Sequence, residues 1–188
     1  MLDRDLFWKL AEVEHPKAVR FCRNLAGNAA DGDDLYQDAI LAAWRKFDSL
    51  RDIESFRAWL YRIIVNLYRG RCRRRSIIAF LSLEPSISDK LMADDEMAKI
   101  TTRRWLNRAL GTLKPEDKAL IILFELDGWS IAELARIYRK PEGTIKSRLA
   151  RARQKMRAVL AGYISRGKKN DLKIEAEYVL PRSEISPE

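Results

Sequence analysis

Histidine occurs once in this chain of 188 residues, as His15, and cysteine only twice, as Cys22 and Cys72. The two thiols are far apart in sequence and lack metal-ligand spacing, so neither a zinc site nor a His-based nucleophilic mechanism is expected. No metal or cofactor is expected, and a reducing cytoplasm is the default compartment. Apolar runs of membrane-spanning length, about 20 residues, are missing too, so no membrane insertion is expected. Met1-Leu2-Asp3-Arg4-Asp5 does not begin a secretory signal. No stretch alternates in the manner of a strand, and no internal repeat is visible. Acid is scarce relative to base: 27 Asp and Glu stand against 36 Lys and Arg, a net charge of +9. Such an excess favours a polyanionic partner, nucleic acid or a membrane surface, without choosing between them. Apolar residues are not scarce. At 47% of the chain they suffice to bury a core, which excludes a disordered polymer.

The densest signal runs from Ser130 to Arg157, SIAELARIYRKPEGTIKSRLARARQKMR. Ser130 and Glu133 have the S-x-x-E spacing of a capping box that opens a helix. Arg139, Lys140 and Pro141 interrupt that helix, and proline suits the first turn of a second one. The second helix places Ile145, Leu149, Ala152, Met156 and Leu160 on one stripe. Its opposite face carries Gly143, Ser147, Ala150, Arg151 and Gln154, flanked by Lys146 and Arg148. Small residues let a backbone approach a groove. Arg151 and Gln154 suit base edges, and the flanking cations suit phosphates. The pattern predicts a DNA-binding helix-turn-helix; the plainer alternative is an amphipathic helix with a solvated basic side.

Around this element the chain divides in two. From Leu6 to about Arg75 the periodicity is helical nearly throughout. A break with Ser82, Pro85, Ser86, Ser88 and Asp94-Asp95-Glu96 follows. Helical spacing resumes at Thr101, with Trp105, Ala109 and Leu113 on one stripe, and an apolar helix from Glu116 to Leu126 ends at Asp127-Gly128. After Gly162 the composition turns polar and charged, the pattern of a poorly ordered tail. The expected architecture is all-α: a helical domain at 1–75, a flexible linker at 76–99, a second helical domain at 100–163, and a tail at 164–188.

Two helices in the first half are informative. One starts near Asp33-Asp34 and reads DLYQDAILAAWRKF, with Tyr36, Ile40, Ala43 and Phe47 as a buried stripe. Asp34, Gln37, Asp38, Leu41 and Arg45 line another side. Asp31, Asp33 and Asp34 suit a helix N-terminus, where negative charge is favoured by about 0.3–1 kcal/mol. Clustered carboxylates can also hold magnesium, but no lysine or histidine is placed as a catalytic partner. The other helix reads SFRAWLYRIIVNLYRGRCRRR, with Phe56, Leu60, Ile63 and Leu67 toward the core. Trp59, Arg62, Asn66 and Arg69 fall on an adjoining side, a platform for unstacked bases unless Trp59 is plain core. Arg69, Arg71, Arg73, Arg74 and Arg75 then offer dense positive charge to a phosphate backbone, or form a solvated surface.

Taken in order and separation, these segments resemble a bacterial RNA polymerase sigma factor of the extracytoplasmic-function group. The match covers most of residues 1–163. The resemblance implies two helical domains, sigma region two and sigma region four, and a non-enzymatic initiation factor. Its implied partners are core RNA polymerase, duplex and single-stranded promoter DNA, and an anti-sigma factor. By similarity, Asp34, Gln37, Asp38, Leu41 and Trp44 grip the polymerase clamp. Ser55, Trp59, Arg62, Asn66, Arg69 and Arg73 capture the minus-ten element, although Arg69 departs from the acidic residue often found there. Gly143, Thr144, Lys146, Ser147, Arg148, Ala150, Arg151 and Gln154 read the minus-thirty-five element. The linker threads toward the polymerase cleft. Two other readings stay open: a sigma-like module that only sequesters an anti-sigma factor, and a stand-alone helix-turn-helix regulator.

Overall fold

The computed structural model describes residues 4–81 and 97–164, and every described element is helical. The first half is built from α1 (Arg4–Ala26), α2 (Ala29–Lys46), two 3-10 turns (Phe47–Ser49 and Ile53–Ser55) and α3 (Phe56–Leu81). The second half contains α4 (Met97–Gly111), α5 (Pro115–Ile121), a π-helical turn (Ile122–Leu126), α6 (Ile131–Tyr138) and α7 (Glu142–Ile164). The all-helical expectation holds.

Helices α1 and α2 form an antiparallel pair joined by a tight turn at Gly27, whose φ of +85° favours glycine. Asn28 then caps α2, its side chain accepting the Asp31 N–H at 2.8 Å. The helix thus starts one turn before the Asp33-Asp34 start expected from sequence. The two backbones nearly touch at Gly32, where an added Cβ would lie 2.5 Å from the Arg23 Cα. Helix α3 lies against both and completes a core of Phe7, Phe21, Leu25, Leu35, Phe47 and Leu60.

The expected break at Ser76 is absent. No glycine or proline stands between Arg71 and Leu81, and the Ser76 hydroxyl donates to the Cys72 carbonyl at 3.1 Å, so α3 continues to Leu81. Helix α4 likewise begins at Met97, ahead of Thr101. Residues 82–96 of the expected linker and 165–188 of the expected tail lie outside the described residues.

Helix α3 serves two cores. Its expected stripe buries Phe56 and Leu60 deeply and Ile63 and Leu67 partly, but Tyr61, Ile64 and Val65 are buried as well. The reason is that α5 and α6 cover the side of α3 that α1 and α2 leave open. Tyr61 shows the sandwich directly, with its ring 5.3 Å from that of Phe21 on α1 and 4.6 Å from that of Trp129.

Candidate nucleic-acid interface

The helix-turn-helix is set by a short chain of local bonds. The Ser130 N–H donates to Glu133 Oε2 at 2.9 Å while the Ser130 hydroxyl accepts the Glu133 N–H at 3.2 Å, the reciprocal box expected from spacing. Arg139, at φ +50°, ends α6, and the Lys140 N–H reaches back to the Ala135 carbonyl at 3.1 Å. Pro141 then accepts from Thr144 and Ile145 to start α7. The inner stripe of α7 is buried as expected: Ile145, Leu149, Ala152 and Met156 are at most 6% exposed, with Leu160 partly covered.

The outer face stays in solvent. Gly143, Lys146, Ser147, Ala150, Arg151 and Gln154 are all exposed, with Thr144 partly so. Nothing lies within 4 Å of where a Gly143 Cβ would sit, so packing does not demand glycine there. Among the described residues Arg151 bonds its own helix, donating to the Ser147 carbonyl at 3.3 Å, and it is exposed. Arg148 departs from the expected role. It pairs with Asp117 at 2.6 Å and Glu116 at 3.1 Å, lies over the Tyr138 ring, and is only 16% exposed. Burial alone would lower its pKa, but these carboxylates outweigh it and hold the cation firmly charged. Arg148 therefore fastens α7 to α5, and Arg153 fastens the next turn through Glu125 at 2.6 Å. Arg136, Arg139 and Lys140 at the α6–α7 turn are exposed cations beside the same face that the motif reading missed. Their position at a turn was the available signal.

In the first half, Asp52 caps the 3-10 turn by accepting the Glu54 N–H at 3.0 Å, and the Ser55 hydroxyl returns to the Asp52 carbonyl at 2.8 Å. This loop, Trp59 and Arg62 form one wall of a cleft of about 730 Å³. Glu133, Arg136 and Arg139 from α6 and its end form the other wall. Trp59 is half-buried against Phe56, between the platform and core readings. Asn66 and Arg73 are exposed. Arg62 and Arg69 are not free: Arg62 donates to carbonyls of α6 and Arg69 pairs with Glu116 at 2.7 Å.

The arginine run divides as well. Arg71 bonds Asp38 at 2.5 Å and Arg75 bonds Asp31 at 3.0 Å, stitching α3 to α2, while Arg73 and Arg74 face solvent. The Asn28 amide and then Arg75 hold the Asp31 carboxyl below its ordinary pKa. Asp33 is engaged by Arg23 at 2.7 Å. These acids are used structurally, and among the described residues no three or more His, Cys, Asp or Glu cluster as a metal site. On the outer side of α2, Asp34, Gln37, Asp38 and Leu41 are exposed, Leu41 by 53%. Trp44 is half-buried, tilted against Trp8 at 5.3 Å.

Fold and faces define an all-helical protein built around a helix-turn-helix. Residues 10–77 match the family model of sigma-70 region 2, and residues 103–156 that of sigma-70 region 4. The chain is 36% identical over 165 residues to the ECF RNA polymerase sigma factor SigM of Mycobacterium tuberculosis, covering 88% of this chain and 82% of SigM. To SigW of Bacillus subtilis it is 25% identical over 84% of this chain and 90% of that protein. The sigma factor RpoE of Bartonella quintana, solved with the anti-sigma factor NepR, superposes with a TM-score of 0.66 at 27% identity, covering 82% of this chain and 96% of that one. The chain belongs to the extracytoplasmic-function RNA polymerase sigma factors. It is a transcription initiation factor that binds core RNA polymerase and directs it to promoters, and the chemistry is the polymerase's. No described helix is long and apolar enough to cross a membrane.

Proposed function

We propose that α7 reads the minus-thirty-five element as duplex through Gly143, Thr144, Lys146, Ser147, Ala150, Arg151 and Gln154. The exposed, small-residued and cationic outer face of α7 carries this reading, because its opposite side is wholly committed to core. Arg148 acts by holding the helix rather than by touching phosphate. The 49–55 loop with Ser55, Trp59, Arg62, Asn66, Arg69 and Arg73 captures minus-ten bases once the duplex opens, so that binding stabilises strands that would otherwise restack. The outer side of α2, with Asp34, Gln37, Asp38, Leu41 and Trp44, grips the polymerase clamp. Helices α1–α3 and α4–α7 make the two working domains, acting in the cytoplasm where polymerase is. The relative solved with NepR supports an anti-sigma factor as a partner here too.

Fluorescence anisotropy on promoter duplexes tests the α7 assignment. Arg151→Ala should weaken binding to a specific promoter by about 1–3 kcal/mol while changing a scrambled one far less. Equal losses on both would remove base reading from Arg151. For the clamp face, Leu41→Arg is the cleaner probe, since Asp38 also binds Arg71. Leu41 is exposed and fills no core, so the variant should fold normally yet lose core polymerase in a pull-down. Retention at the parent level would clear α2 of that role.

A further inference from the structure

The cleft between the 49–55 loop and α6 holds more donors than the protein uses. Five arginines line it, Arg51, Arg57, Arg62, Arg136 and Arg139, against three acids. Two of the five are engaged along the seam where α3 meets α6. Arg62 donates to the Ile137 carbonyl at 2.8 Å, and Arg57 pairs with Glu133 at 3.2 Å. The other three, one on the loop wall and two on the α6 wall, are exposed and make no ion pair among the described residues. Of the acids, Asp52 caps the 3-10 turn and Glu133 is held by Ser130 and Arg57, which leaves Glu54 alone against them. Burial, and then the like charge of Arg139, lower the Arg62 pKa, a sign of positive charge left unbalanced here. Two further donors on lining residues, Arg57 Nε and the indole N–H of Trp129, are buried with no acceptor in the protein. Trp129 is only 2% exposed, and a buried donor without an acceptor calls for a ligand or water.

We propose that this cleft binds a free nucleoside polyphosphate, its phosphates between Arg51 and the Arg136–Arg139 wall and its base against Trp59. The placement of the base rests on the reading of Trp59 given above.

Size, charge and shape agree. A volume of about 730 Å³ lies within the range of small-molecule sites, about 300–1,000 Å³, and admits one nucleotide between two facing walls. Guanidinium forks match phosphate oxygens two at a time, and three unpaired forks suit the several charges of a polyphosphate chain. Half-buried Trp59 lines the same cleft, and stacking on an aromatic ring is open to every base. Arg136 and Arg139 stand outside the set assigned to promoter strands, so the site is wider than the strand-capturing face. A nucleotide seated here competes with a promoter base for Trp59, and strand capture weakens as free nucleotide rises.

The test titrates the full chain with ATP in a calorimeter, and with inorganic triphosphate in parallel. Salt of about 0.15 M screens unspecific attraction to the cationic surface. One equivalent of ATP should bind, about tenfold or more tighter than triphosphate, and Trp59→Leu should remove that advantage. No binding, or equal affinity of the parent for the two, overturns the proposal. Arg51→Gln and Arg139→Gly should each lower ATP affinity by about fivefold or more. Arg139 stands at φ +50°, where glycine is at ease, so its replacement leaves the turn intact. Arg157→Gln removes the same charge from an exposed position outside the cleft and should leave ATP affinity unchanged. An equal loss there would mean general charge attraction and overturn the site. ATP should also weaken binding of a labelled single-stranded DNA 12-mer; ATP that binds without displacing it overturns the placement at Trp59. A 12-mer that fails to bind the nucleotide-free protein counts against the α3 assignment instead, since calorimetry reads the nucleotide site by itself.

Discussion

Glu133 does two jobs at once. It completes the box that starts α6 and it faces Arg57 across the seam, with Arg136 nearby on its own helix. Burial pushes its pKa up, but the Ser130 bonds and then the two arginines outweigh that, and the net shift is downward. A carboxylate held below its unfolded value stabilises the fold fully above that value, and the contribution is lost as pH falls through the folded pKa. Glu133→Gln should therefore lower the melting temperature at neutral pH, and the gap to the parent should close as pH drops below about 4. A gap that persists unchanged into acid would mean the carboxylate charge contributes nothing. The capping role of Ser130 and Glu133 was legible because both partners stand three residues apart. The fate of Arg148 and Arg62 was not. Each cation suits phosphate by type and position, and what redirects it lies far along the chain: Asp117 for one, the α6 carbonyls for the other.

Helices follow the same division between local and distant causes. The inner stripe of α7, the Ser130 start of α6 and the stop at Asp127-Gly128 were readable from spacing and turn chemistry alone. The start of α2 was not, because three aspartates compete as caps with Asn28, and only the Gly27 turn decides for the latter. Nor does sequence reveal that α2 crosses α1 at Gly32. That contact makes a sharp prediction. Alanine is favoured over glycine inside a helix by about 1 kcal/mol, yet a Cβ here would strike the Arg23 backbone, and overpacking costs about 1–3 kcal/mol. Gly32→Ala should lower the urea midpoint of unfolding; a raised midpoint would show that the two helices part freely.

At the scale of the molecule, the two faces proposed for nucleic acid could be picked out because each sits on one amphipathic helix, and amphipathicity is written locally. Their docking was not foreseeable. Tyr61, Ile64 and Val65 carried the only hint, being apolar beyond the stripe that one core needs, and a helix with two buried sides reads much like one with a generous single side. The consequence is functional. Ser147 and Arg151 stay outside the joined core, so the face proposed to read duplex is exposed, while Arg62 of the face proposed to capture strands is bonded to α6. Run-off transcription with purified core polymerase, on promoters differing only in the minus-thirty-five element, tests this division most directly. The parent should prefer the matched promoter, and Arg151→Ala should lose that preference while still starting transcripts. If the variant discriminates between the two promoters as well as the parent does, the outer face of α7 is not the reader of the duplex.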